Sequence, residues 1–169
     1  IPVEGVTAEE LLLYAYSLEQ KSEHPLAKAV LKYGQEHAVN AIEPKEFMAL
    51  PGNGLSAVCD GENVIGGSRK FIEQTIAPAS GRSTEQKELI TLVSDRLAGQ
   101  GKTPLFFAKD GKLLGIIAVA DVIKEDSLSA IKEMQGMGLR VVMLTGDNER
   151  TAKAIGDQVG VDEVIAGVL

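Results

Sequence analysis

Apolar residues return every three to four positions near the start of this chain, placing Leu11, Leu12, Ala15 and Leu18 on one side of a helix. Thr7 precedes the run and Glu10 follows three places later, the spacing of a capping box, so a helix that starts after Thr7 and fades near 20–23 is predicted. Pro25 pre-sets the backbone for a second helix carrying Leu26, Ala29, Val30 and Tyr33, which puts His24 at a helix entrance. From Phe47 the period shortens. Stretches at 47–50, 55–59 and 63–65 are separated by Pro51-Gly52-Asn53-Gly54 and by Asp60-Gly61, and Asp-Gly between apolar runs signals a hairpin. Met48 and Cys59 read as core residues of these strands. A short helix over 68–76, a loop over 77–83 and a helix over 84–97 with Leu89, Leu92, Val93 and Leu97 come next. A second Asp-Gly hairpin then joins 104–109 to 112–119. Helices laid on an antiparallel sheet make an α+β layer.

Beyond Asp121 the order changes to a helix over 126–135, a strand over 140–144, a tight turn and a helix over 149–159 closed by Gly160. A short strand over 163–166 ends the pattern. Such βα alternation suits a parallel, Rossmann-like sheet, incomplete at this strand count, with ligands at the carboxyl ends of its strands. The expectation is an α/β chain with a first domain over 1–119 and a partial second domain over 120–169.

A formal charge of −7 and four phenylalanines, three tyrosines and no tryptophan give neither a positive field nor a stacking platform for nucleic acid. Cys59 is the single cysteine, which excludes an internal disulfide and paired-cysteine zinc sites and fits a reducing compartment. With only two histidines beside it, no metal-ligand cluster is expected. The longest apolar run, 113–120, falls well short of the roughly 20 residues of a membrane helix, so no direct membrane insertion is expected. The chain opens on Ile1, without an initiator methionine or a leader, and reads as a piece of a larger protein.

Two segments carry chemistry. Thr145-Gly146-Asp147 follows a strand and precedes a helix, where a hydroxyl and free amides can hold phosphate oxygens near a positive helix end. A plain cap by Asp147 or Asn148 is the alternative. Adenine presents a flat face, a donating amino group and accepting ring nitrogens, so its pocket wants an imidazole, a carboxylate and closely approaching backbone. Glu19, His24 and the glycines supply those types. Residues 52–57 also fit the loose Gly-x-Gly-x-x-Ala fingerprint, but a strand follows where a dinucleotide site needs a helix. Gly101-Lys102-Thr103 lacks the upstream glycine of a phosphate loop, since Arg96 stands there.

Ser22-Glu23-His24-Pro25-Leu26, Gly52-Asn53-Gly54, Gly66-Gly67-Ser68, Asp121-Val122-Ile123-Lys124 and Thr145-Gly146-Asp147-Asn148 occur in the order found in heavy-metal-transporting P-type ATPases. Over nearly its whole length the chain resembles their nucleotide-binding domain followed by part of their haloacid-dehalogenase-type phosphorylation domain. It is most similar to bacterial copper-exporting members, and the His-Pro element is the specific part of the match. The resemblance implies that Glu19 accepts from the adenine amino group and His24 stacks on or bonds to the ring. It implies that Gly52 and Gly54 let backbone approach ATP, and that Gly67 and Ser68, where the family has Gly-Asn, lie toward the ribose. Thr145 would hold the phosphoryl group. Gly146 and Asp147 would lie near the phosphates and Mg2+, and Asp121 and Lys124 at a hinge.

The same resemblance implies a parent ATPase that couples ATP hydrolysis to metal transport, copper being the expected ion. This piece would be a cytoplasmic domain of an integral plasma or inner membrane protein, and its partners would be the remaining phosphorylation, actuator and transmembrane domains of the same chain. The family's acceptor aspartate lies in Asp-Lys-Thr-Gly-Thr, a string absent from these residues, so the catalytic set is incomplete and ATP binding with negligible hydrolysis is expected. A haloacid-dehalogenase-type phosphatase would need an acceptor such as Asp-x-Asp, which is also absent. A non-catalytic nucleotide-binding module remains the alternative.

Overall fold

Helix α1 (Ala8–Glu19) starts as its sequence demands, with Thr7 Oγ1 accepting from the Glu10 amide at 3.1 Å. The other half of the capping box is not made. In this computed structural model, which describes residues 1–50, 52–76, 84–120 and 123–168 with side chains omitted for 84–89, the Glu10 carboxylate instead takes Lys109 Nζ at 2.9 Å. Lys109 also lies 3.4 Å from Glu62 Oε1 and 4.5 Å from the centre of the Tyr14 ring, while the Tyr14 hydroxyl donates to Glu62. Glu10 above all holds the Lys109 ammonium above its usual range.

That clasp belongs to the first of two compact units, formed by Ile1–Ser83 and Pro104–Val119. Its sheet runs β1 (Lys45–Leu50), β2 (Gly54–Cys59), β3 (Glu62–Gly67), β4 (Lys102–Lys109), β5 (Lys112–Ala120), in chain order. The pairs β1–β2, β2–β3 and β3–β4 are antiparallel. Both Asp-Gly turns take left-handed backbone at each position, with φ of 53° and 82° at Asp60 and Gly61 and of 45° and 74° at Asp110 and Gly111. Leu11, Tyr14, Ala15 and Leu18 of α1 close the core over Ala57, Cys59, Val64 and Phe107. Complete burial of Phe107 is worth about 1.5–3 kcal/mol.

Two expectations about burial shift in this unit, and one pairing is new. In α2 (Pro25–Glu36) the buried face is Ala27, Val30 and Gly34, whereas Ala29 and Tyr33 are exposed. Gly34 decides this, because a Cβ there would stand 2.8 Å from Tyr16 Cε2, and only glycine lets that face press on the ring. Met48 is 56% exposed rather than part of the core. Glu46 sits at φ 51° and the β1–β2 register slips between Lys45 and Met48, so a bulge re-aims the side chains of this edge strand. Residues 1–3, to which the sequence pattern assigns no element, lie along β5, with the Val3 amide donating to Leu114 O at 3.0 Å and the Ile116 amide to Ile1 O at 2.9 Å. A Cβ at Gly115 would lie 2.5 Å from Ile1 O, which accounts for a glycine inside that apolar strand. Helix α3 (Arg69–Ile76) packs on β3 with Ile72 and Ile76 buried. The predicted loop over 77–83 lies outside the described residues.

The second unit comprises Thr84–Thr103 and Ala120–Leu169. Helix α4 (Thr84–Gly99), which the sequence reading set against the antiparallel sheet, is part of this unit. It packs on α6 (Glu149–Val159), where Arg150 Nη1 meets Asp95 Oδ1 at 2.7 Å, and Leu92, expected on its apolar face, is exposed. Helix α5 (Ser127–Gly136) precedes β6 (Val142–Leu144), which pairs in parallel with β7 (Glu163–Ile165). Helix α6 opens on Asn148, whose side chain accepts from the Thr151 amide at 3.1 Å, and closes on Gly160 at φ 75°. It lies close on the strands: a Cβ at Gly156 would stand 3.7 Å from Met143 Cε.

Candidate functional site

Glu19, the last residue of α1, is 6% exposed, and its Oε2 has no hydrogen-bond partner. Burial pushes its carboxyl pKa up, opposed in smaller part by a hydrogen bond from Ser22. The chain then folds back on itself. The Ser22 amide donates to Glu19 O at 3.0 Å, and Ser22 Oγ accepts from the His24 amide at 3.3 Å. His24 is the N-cap of α2, its Nδ1 accepting from the Leu26 amide at 3.2 Å. Capping through Nδ1 leaves the ring proton on Nε2, so the exposed imidazole offers one outward donor and its faces. Capping and ligand binding are thus compatible.

The end of α1 reaches the glycines through Leu18. A Cβ at Gly66 would stand 2.9 Å from Leu18 Cδ2 and 2.8 Å from Phe107 Cε1, so the missing side chain lets β3 pass beneath the helix end. Gly66 pairs with Leu55, and Gly67 with Gly54. A Cβ at Gly54 would lie 2.9 Å from Phe71 Cδ1, and one at Gly67 would lie 2.5 Å from Asn53 O. These two glycines are demanded by the protein's own packing, whereas Gly52, at φ 74° with nothing within 4 Å of a Cβ, is demanded by its turn. Ser68 donates its amide to Asn53 O at 3.3 Å and accepts from the Phe71 amide at 3.3 Å, which makes it the cap of α3. Direct contacts therefore link Glu19, Gly54, Gly67 and Ser68 by way of Leu18 and Gly66, and Ser22 links Glu19 to His24. Sequence reasoning placed Leu18 on an apolar helix face and Ser22 and Gly66 in the matching segments, but assigned none of the three a part in the site. The signal for Ser22 was its place two residues before a capping histidine.

In the second unit, Thr145-Gly146-Asp147 lies at the carboxyl ends of β6 and β7. The Thr145 amide donates to Ile165 O at 3.0 Å, the Val168 amide to Thr145 O at 3.1 Å and the Gly167 amide to Asp147 O at 2.9 Å. Thr145 Oγ1 donates to Asp147 Oδ2 at 3.0 Å and accepts from the Asp147 amide at 3.1 Å. Since Asn148 performs the capping, Asp147 is left beside the threonine hydroxyl at a helix entrance, where the helix dipole favours anions. Among the described residues, no group of three histidine, cysteine or acidic side chains could hold a metal ion. Asp147 alone fits Mg2+, an ion that is commonly held by one or two carboxylates together with phosphate oxygens and waters. Lys124 is exposed, its carbonyl accepting from the Ser127 amide at 3.0 Å at the entrance to α5. Asp121 lies outside the described residues. Among them, no helix is long and apolar enough to cross a membrane.

Residues 3–169 match the family model described as haloacid dehalogenase-like hydrolase. A copper-exporting P-type ATPase of Staphylococcus haemolyticus is 41% identical over 162 residues, 95% of this chain and 19% of the relative. A copper-transporting ATPase of Rhizobium meliloti is 39% identical over 100% of this chain and 20% of its own length. The chain thus spans about a fifth of the curated relatives it matches. Among solved structures, a zinc-transporting PIB-type ATPase in an E2.Pi state is similar at a TM-score of 0.71 and 30% identity, covering 99% of this chain and 26% of that one. The chain belongs to the haloacid dehalogenase-like hydrolases and resembles, along its whole length, the nucleotide-binding and phosphorylation region of copper- and heavy-metal-transporting P-type ATPases.

Proposed function

We propose that this chain is the ATP-binding part of a heavy-metal P-type ATPase, copper being the cargo in the relatives named above. The observation that carries the reading is Glu19: a carboxyl nine-tenths buried, with one oxygen unpartnered, is costly unless a ligand donates to it. The adenine amino group is such a donor. His24 would present its ring to the purine, Gly52 and Gly54 their backbone, and Gly67 and Ser68 the ribose side.

In the second unit, Thr145 would bond a phosphoryl oxygen, with Gly146 giving close approach, and Asp147 would hold Mg2+, which supplies charge neutralisation on the phosphates. Asp121 and Lys124 would belong to a hinge segment. The phosphoryl group would pass to an acceptor aspartate that these residues do not contain. The remaining phosphorylation, actuator and transmembrane domains are the proposed partners, and a cytoplasmic domain of an integral membrane protein is the proposed setting.

Titration with ATP, followed by backbone amide NMR, tests the assignment. Resonances of Glu19, His24 and Gly52 to Gly54 should shift, and Glu19→Ala should weaken binding about tenfold to a hundredfold, the loss expected when a buried polar contact is left unmade. Unchanged affinity in both Glu19→Ala and His24→Ala would remove the adenine site from this place.

A further inference from the structure

Resting on that reading, we propose that Glu19 reads position 6 of the purine in both of its protonation states. Ionised, it accepts from a 6-amino purine; protonated, it donates to a 6-oxo purine, so the preference for adenosine over inosine triphosphate narrows as pH falls.

The geometry leaves one atom to do the reading. Oε2 of Glu19 is shut from water and partnerless, while the Ser22 side chain in smaller part favours the ionised carboxyl. A carboxylate oxygen only accepts, whereas a carboxylic acid carries one O–H donor. Against an ionised Glu19, the carbonyl of a 6-oxo purine sets two acceptors face to face without water, and such mispairing in a site built to bond a donor discriminates strongly. Protonation turns that same contact into an O–H···O bond. Burial favours the acid form, which brings the change above the ordinary carboxylate range.

No charged neighbour sets the protonation of Glu19. On α1 itself, Glu9 and Glu10 occupy the opposite end, and Glu10 is taken up by Lys109. Of the elements packed against α1, α2 brings His24 at its cap and Lys28, Lys32 and Glu36 in exposed positions. Strand β2 brings Cys59, itself pushed up by burial, and β3 brings Glu62, bonded to Tyr14 and close to Lys109. Lys21, two residues beyond Glu19, donates to Pro44 O at 3.1 Å. Burial and Ser22 account for the shift at Glu19.

The test measures affinities of the 169-residue chain for ATP and inosine triphosphate from about pH 5.5 to about pH 8, a window above the ordinary glutamate range. The ATP-to-ITP affinity ratio should be largest at the alkaline end and fall about tenfold or more toward the acid end. Glu19→Gln should show a ratio near unity that does not vary with pH, because a side-chain amide can turn either its donor or its acceptor to the base. Any pH effect shared by both nucleotides and by the variant cancels in the ratio. If ATP affinity drops in Glu19→Ala while the wild-type ratio stays constant with pH, the contact is real and the protonation switch is wrong. If Glu19→Ala binds ATP normally, the adenine reading fails, and this inference with it.

Discussion

A buried carboxyl with an idle oxygen works against the fold, and Glu19 makes that conflict measurable. Its folded pKa is raised by burial, so between the ordinary carboxylate value and the raised one the folded chain binds more protons than the unfolded chain. Stability from this group is therefore full below the unfolded pKa and declines as pH rises through the folded one. Glu19→Gln should melt at a higher temperature than the wild type near neutral pH, with the advantage shrinking on acidification toward the ordinary carboxylate range. Thermal denaturation at the two pH values checks it. A gain in stability together with loss of adenine selectivity would mark a residue kept for function rather than for folding. Glu19 could be named from its sequence spacing to His24 and the family resemblance, but its burial could not. Burial is a tertiary property, set where the end of α1 meets β3 through Leu18 and Gly66, residues that stand on different elements.

Elements whose causes are local were legible in the sequence. The two Asp-Gly hairpins, the Thr7 cap and the Gly160 stop need only neighbouring residues, and each stands where the pattern put it. What escaped depended on partners far along the chain. Glu10 leaves its own cap for Lys109, 99 residues away, Tyr33 turns outward because Gly34 meets Tyr16, and residues 1–3 find β5 through Gly115. The glycines at the β2–β3 end separate two kinds of requirement. Gly66→Ala would drive a Cβ against Phe107 and Leu18, so a loss of about 1–3 kcal/mol is expected from overpacking, with weaker ATP binding as the end of α1 is displaced. Gly52→Ala meets no atom and strains only the backbone at φ 74°, for roughly 1 kcal/mol. Urea denaturation of the two variants should rank them in that order; equal losses would mean that α1 does not rest on Gly66.

At the scale of the whole molecule, each unit carries its own half of the proposed chemistry. The antiparallel unit carries the residues proposed to contact the purine. The second unit carries Thr145 and Asp147, which already hydrogen-bond to each other at the ends of a two-stranded parallel sheet. Phosphoryl transfer needs an in-line nucleophile and neutralisation of the transferring group, and many orders of magnitude in rate rest on their joint presence. The sequence holds no Asp-Lys-Thr-Gly-Thr acceptor segment. The 169-residue chain, saturated with ATP and Mg2+, should therefore release phosphate no faster than the buffer while its amide resonances report bound nucleotide. Thr145→Ala removes the two hydrogen bonds of its hydroxyl to Asp147, so it should loosen the loop at a cost of about 1–2 kcal/mol in denaturation without altering that baseline. Phosphate release well above the buffer rate, abolished by Thr145→Ala or Asp147→Asn, would require an acceptor or an activated water within this chain and would return the phosphatase reading to first place.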